Sequence, residues 1–195
     1  FIGGHPMAGT EKTGYSSSFT HLLENAYYIL SPCKSTSENT INIMTEVIHG
    51  IGGIPVVIDA DNHDRITAGI SHIPHIIAST LVNMVKEMDS PDGKMRMLAA
   101  GGFKDITRIA SSSPEMWENI VLSNKHQIKK VLDFYVELIE KFKDRIDCED
   151  SKWILDSFES AKVFRNSFSV RPNSISSTKV TSPPSSGSNL FLAMT

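Results

Sequence analysis

Cysteine, a strong charge of either sign and long apolar runs are all scarce in this chain of 195 residues. Its two cysteines, Cys33 and Cys148, lie far apart, so they spell out neither a disulfide framework nor a metal-ligand spacing. Two reduced thiols fit a cytosolic protein, and a cytoplasmic location is expected. The net charge is −3 and the pI near 6.2, which provides no electrostatic footprint for nucleic acid or for a polybasic membrane contact. No apolar stretch approaches the roughly 20 residues that a membrane-spanning helix requires. A signal peptide is not visible and residue 1 is not Met, so the sequence reads as part of something longer.

A hydrophobic fraction of 40% is enough to bury a core in one or two domains. Residues 26–31, from Ala26 to Ser31, read as a short buried strand stopped by Pro32. Between Thr36 and Gly50, Ile41, Ile43, Met44, Val47 and Ile48 recur at helical spacing, with Ser or Thr near the start and glycines at the end. Ile54 to Ile58 is another β-branched run. Strand, helix and strand over so short a stretch make a βαβ unit on a parallel sheet, the last part of an α/β domain. Helix is expected from about Asp61 onward: over 62–88 with a kink at Pro74, then over 94–110, 114–122, 124–145 and 150–167. Along 124–145, Ile128, Val131, Leu132, Tyr135, Leu138, Ile139 and Phe142 form one stripe opposite charges. After about Ser169, Ser, Pro, Thr and Asn dominate, and disorder is expected over 169–195.

Five polar features stand where a helical core does not want them. Phe1 to Glu11 reads as a loop rich in Gly and Pro that fixes the imidazole of His5 beside space for a ligand, with Thr10 and Glu11 at its end. Asn62-His63-Asp64-Arg65 opens the long helix, where Asn62 or Asp64 suits an N-terminal cap. Ser71 and His75 are four apart and share a face that Pro74 can open to a cavity. His72 reads as a buried, hydrogen-bonded histidine. Gly101-Gly102 leads into a helix on which Asp105 and Arg108 are three apart, placed either as a surface ion pair or as an anion grip, because arginine binds carboxylates in bidentate fashion. Trp117 follows, as core or as ligand contact.

Taken in order, Gly4-His5-Pro6-Met7-Ala8-Gly9-Thr10-Glu11, His63-Asp64, Ser71-His72-Ile73-Pro74-His75, Gly102 to Ala110 and Met116-Trp117 closely resemble prephenate dehydrogenase and its arogenate-using relatives. The resemblance covers roughly residues 1–168. It implies the end of a Rossmann-type domain over 1–60, an all-helical dimerisation and substrate domain over 61–168, and a homodimer. It also implies NAD- or NADP-dependent oxidative decarboxylation of prephenate to 4-hydroxyphenylpyruvate in tyrosine biosynthesis. In that frame His5 matches the catalytic base and Arg108 the substrate-carboxylate arginine. His75, Ser71, Thr10 and Trp117 match positions near the substrate, and Glu11 and Asp105 match an ionic gate. No Gly-x-Gly-x-x-Gly occurs, so the cofactor's pyrophosphate contacts are expected before Phe1. The chain alone is expected to be inactive, and no metal is expected. The rival readings are an arogenate dehydrogenase, a non-catalytic helical dimerisation or regulatory module, and a metal hydrolase built on His63-Asp64.

Overall fold

The computed structural model describes residues 1–9, 14 and 18–168. The serine- and proline-rich stretch read as disordered lies outside the described residues. The chain divides into two compact units, residues 1–140 and 141–195.

In the first unit, β1 (Ile2–Pro6), β2 (Tyr27–Pro32) and β3 (Ile54–Val57) form a sheet in the order β1-β2-β3. The β-branched run of β3 pairs parallel to β2, from Tyr27 opposite Ile54 to Leu30 opposite Val57. Helix α1 (Glu38–Gly50) makes the crossover. Its N-terminus is capped by Ser37, whose Oγ accepts from the Thr40 N–H at 3.2 Å. Ile29 and Leu30 of the central strand and Ile48 of α1 are 6%, 0% and 1% exposed, and they form the centre of this layer.

The opening residues depart from the loop reading. Ile2–Pro6 is a strand, antiparallel to β2, with His5 opposite Ile29. Pairing to the buried strand satisfies backbone groups that the local Gly-Gly-His-Pro sequence could not satisfy alone. Gly4 helps, because a Cβ there would stand 3.1 Å from the Tyr28 ring. Pro6 takes the last position of an outer strand, where a missing N–H costs least.

A continuous helical run follows β3, made of α2 (Ala60–Thr67), a π turn (Ala68–His72) and α3 (Ile73–Met88). Its cap is Asp59 rather than Asn62 or Asp64: the Asp59 carboxylate accepts from the Asn62 N–H at 2.9 Å and from Asn62 Nδ2 at 2.6 Å. Pro74 sits in the first turn of α3, and the distortion it requires is taken up ahead of it. The Ile73 N–H reaches back five residues to the Ala68 carbonyl, which widens the helix where the proline ring would meet the carbonyl of residue 70.

The helix expected over 94–110 is broken. It forms α4 (Lys94–Leu98), α5 (Gly101–Thr107) and a 3-10 turn (Arg108–Ser111), with Ala100 extended ahead of two glycines that hold helix poorly. Then come α6 (Pro114–Ser123), α7 (Lys125–Asp147) and α8 (Ser151–Ser167). Ala68, Ile73 and Ile128 are buried together, with Ile76, Ile77, Val121, Val131 and Leu132 packed around them. In the second unit, Phe142 meets Trp153 and Phe158 edge-on, at centroid distances of 5.4 and 5.8 Å. Asp150 both caps α8 and pairs with Arg145 at 3.2 Å. No described helix is long and apolar enough to cross a membrane.

Leu30→Ala is expected to lower the unfolding free energy by about 2–5 kcal/mol, because a fully buried position cannot collapse around the loss. Val47→Ala, at a half-exposed position, should stay within about 0.5 kcal/mol of the parent. Urea denaturation of both variants checks the difference.

Candidate functional site

His5 leaves the sheet near the end of β1 and meets the first turn of α2. Its Nδ1 lies 2.8 Å from Nε2 of His63, and Nδ1 of His63 lies 2.8 Å from Oδ1 of Asp64. A carboxylate only accepts, so His63 donates to Asp64 from Nδ1. The neutral His63 ring then has a lone pair at Nε2, which accepts from the Nδ1–H of His5. That places the remaining lone pair of a neutral His5 on its own Nε2, where it can take up a proton. The order carboxylate, imidazole, imidazole fixes a tautomer in the way a carboxylate orients a general base. Thr67, 1% exposed, holds the turn by donating its hydroxyl to the carbonyls of His63 and Asp64 at 2.9 and 3.3 Å.

Burial, and then the neighbouring His63, hold His5 below its ordinary value of 6.5. The same is true of His72, first through burial and then through His5 and His63; Asp64 opposes and His75 adds slightly. His5 keeps one side open to solvent, so its depression is the kind expected of a partly screened group.

A second group forms where the π turn, α3 and α6 meet. The His75 Nδ1–H donates to the Ser71 carbonyl at 2.9 Å. The ring of His75 stacks on Trp117 with centroids 3.7 Å apart and planes 25° apart, while His72 approaches the same indole edge-on at 6.1 Å. His75 and Trp117 wall a cavity of about 520 Å³ together with Ile76, Ile109, Ala110 and Val121. The Trp117 Nε1–H is buried and finds no hydrogen-bond partner among the described residues.

His75 and Trp117 are therefore brought together, and Ser71 joins them through its main-chain carbonyl bonded to His75. Arg108 opens the 3-10 turn, exposed and directly before the cavity residues Ile109 and Ala110, and Asp105 is exposed on α5. Thr10 and Glu11 lie outside the described residues. From sequence, Asp64 reads as cap chemistry and His63-Asp64 stands only in the matching motif and the rival metal site, while Asn124, whose side chain reaches both the Asp64 carbonyl and His72, is not singled out. A His-Asp pair in the helix that follows β3, beyond the carboxyl end of that strand, was the available signal for the first two. Asn124 had none, because an Asn between two helices looks like any cap. As for a metal hydrolase, both nitrogens of His63 are engaged, one by His5 and one by Asp64.

The glycine turn at Gly50-Ile51-Gly52-Gly53 cannot cradle a pyrophosphate. The N–H groups of Ile51, Gly52 and Gly53 donate to the carbonyls of Val47, His49 and Ile48 as α1 closes, so none remains to meet a phosphate.

Comparison with known proteins agrees with this architecture. The family model described as "Prephenate dehydrogenase, nucleotide-binding domain" matches residues 1–57, and the one described as "Prephenate dehydrogenase, dimerization domain" matches residues 59–160. The chain belongs to the prephenate dehydrogenase family. The first match ends with the last residue of β3, and the second begins at Asp59, the cap of α2. Among curated relatives, the prephenate dehydrogenase of Bacillus subtilis (strain 168) is 38% identical over 171 residues, covering 88% of this chain and 46% of that protein. The chain spans about half the length of the curated relatives it matches. The crystal structure of prephenate dehydrogenase from A. aeolicus, in complex with hydroxyphenyl propionate and NAD+, superposes with a TM-score of 0.82 at 33% identity, covering 86% of this chain and 59% of that one. Synechocystis arogenate dehydrogenase superposes with a TM-score of 0.77 at 25% identity, covering 86% and 61%. The three-stranded sheet followed by helices is thus the family's arrangement: the end of a Rossmann-type domain, then the helical dimerisation domain.

Because His5 and His72 bind protons more weakly folded than unfolded, the unfolded chain takes up more protons below their ordinary value. Stability is then expected to be full above about pH 6.5 and to fall as the pH drops below it, through the folded values. Melting temperatures measured on either side of that point check the sign, and His5→Gln should flatten the slope.

Proposed function

We propose that this chain forms the substrate half of a prephenate dehydrogenase, which carries out NAD(P)-dependent oxidative decarboxylation of prephenate to 4-hydroxyphenylpyruvate in tyrosine biosynthesis. The observation that carries the reading is the Asp64–His63–His5 series, which leaves an accepting Nε2 on His5. In this reaction a ring carbon bearing a hydroxyl becomes a carbonyl carbon, and the hydroxyl proton must leave as that happens. His5 hydrogen-bonds the hydroxyl and draws the proton off, a general-base contribution of roughly 10²–10⁴-fold. Departure of carbon dioxide is driven by aromatisation, so the remaining task of the protein is to hold the ring.

Arg108 grips a substrate carboxylate, and Ser71, His75, Trp117 and Thr10 surround the substrate. The stack of His75 on Trp117 at the cavity wall supports this assignment. Glu11 and Asp105 form an ionic gate with the arginine. Residues 1–60 belong to the nucleotide-binding domain and 61–168 to the helical domain. The nicotinamide cofactor is NAD or NADP, and its pyrophosphate is held by residues other than those described, consistent with the closed glycine turn after α1. The protein is cytoplasmic and works as a homodimer through the helical domain. Exposed Phe134, Leu138 and Ile139 on α7 are the apolar surface such a partner would cover. Arogenate is the alternative substrate, a reading favoured by the likeness to the Synechocystis enzyme.

In the full-length protein, His5→Asn is expected to lower kcat by roughly 10²–10⁴-fold with little change in KM for prephenate. Arg108→Ala should instead raise KM strongly, by leaving the carboxylate unpaired. Steady-state kinetics with prephenate and with arogenate decide both points. An unchanged kcat in His5→Asn would end the reading, and Glu11→Gln should alter substrate affinity if the gate exists.

A further inference from the structure

Asn124 stands between α6 and α7 and is 8% exposed. Its backbone serves both helices: the N–H donates to Ile120 at 3.1 Å and the carbonyl accepts from Ile128 at 3.0 Å. Its side chain turns toward the π turn and α2, where Nδ2 lies 2.8 Å from the Asp64 carbonyl oxygen and 3.3 Å from Nδ1 of His72. These two contacts fix more than position. A carbonyl oxygen only accepts, so the amide must present its NH₂ there, and its orientation is settled. The second proton of that NH₂ faces His72 Nδ1, and two N–H groups cannot point at each other. His72 Nδ1 is therefore bare.

We propose that Asn124 is a positioning residue that locks His72 as a neutral ring with its proton on Nε2, and that ties this ring to the Asp64 turn that orients His5. To become charged, His72 must place a proton on Nδ1 against the amide of Asn124. The surroundings lean the same way. Around His72 stand His5 from β1, His63 and Asp64 from α2, His75 from α3 and the indole of Trp117 from α6. Of these, Asp64 alone favours the charged ring, while burial and the other imidazoles disfavour it. On the dehydrogenase reading this matters to the base. A second imidazolium beside His5 would weaken its hold on the proton it must accept, whereas a neutral neighbour leaves that hold intact and offers an N–H donor.

The test needs no substrate, so it stands or falls separately from the proposed reaction. Long-range ¹H–¹⁵N spectra of the histidine rings of the ¹⁵N-labelled full chain, taken between about pH 5 and 8, report both tautomer and titration. The His72 signals are identified by their loss in His72→Gln. The expected result is a protonated Nε2, a bare Nδ1 and a midpoint below 6.5. Asn124→Asp puts an acceptor in place of the donor; it should raise the midpoint by about one pH unit or more and move the neutral proton to Nδ1. A wild-type His72 with its neutral proton on Nδ1 would overturn the proposal. So would a folded Asn124→Asp variant whose His72 titrates as in the parent. If that variant does not fold, the wild-type tautomer decides alone.

Discussion

The π turn at Ala68–His72 is the constraint on which the helical half of this structure depends. A regular helix running from α2 through Pro74 would drive the proline ring into a carbonyl one turn earlier, at a cost of about 3 kcal/mol or more. Widening the helix by one residue removes the clash and re-aims everything that follows. Ala68, fully buried at the start of the turn, lets Ile128 of α7 approach closely. His72 and His75 then stand on two sides of one indole instead of on adjacent turns of a single stripe. Proline, bulge, small residue and aromatic partner are one solution to one steric problem.

The polar site lives under a different constraint, a surplus of imidazoles over acids. His5, His63 and His75 all act electrostatically on His72, and Asp64 is the acid that bonds to His63 among the described residues. Each ring has a partner that fixes which nitrogen carries its proton. A carboxylate does this for His63, His63 does it for His5, a main-chain carbonyl does it for His75, and an amide does it for His72. The directions at His5 and His63 are coupled through their shared hydrogen bond, so a change at one reaches the other.

Much of this was legible in the residues and some of it was not. The β2–α1–β3 unit announced itself through two β-branched runs, Ser37 at the right place and a glycine exit, because those signals are local. The stripe along α7 did so for the same reason. Strand β1 was hidden: its two glycines and its proline argue against a strand, and its conformation is decided by long-range pairing, from Pro6 opposite Tyr28 to Ile2 opposite Pro32. The break between α4 and α5 was marked by Gly101 and Gly102, but the surrounding apolar residues masked it. Within the site, His75 and Trp117 were named from sequence and stand together, with the Ser71 carbonyl bonded to His75. Asp64 was read as a cap, His63 carried no role of its own, and Asn124 was not noticed, since the groups that cap helices are the same groups that build polar networks. Only a fold that brings α2 against the α6–α7 junction tells the two uses apart.

Trp117 is held in an unusual way for so large a side chain. Its N–H has no partner among the described residues, and a buried donor left in that state costs about 1–3 kcal/mol. What keeps the indole in place is its face against His75 and its apolar neighbours, with an aromatic contact adding about 0.5–1.5 kcal/mol. A guest pressing on that wall breaks no hydrogen bond by pushing the ring aside, and it rewards any new pose in which the N–H meets an oxygen. The Trp117 side of the cavity is thus held by stacking and packing rather than by hydrogen bonds of its N–H to the described residues.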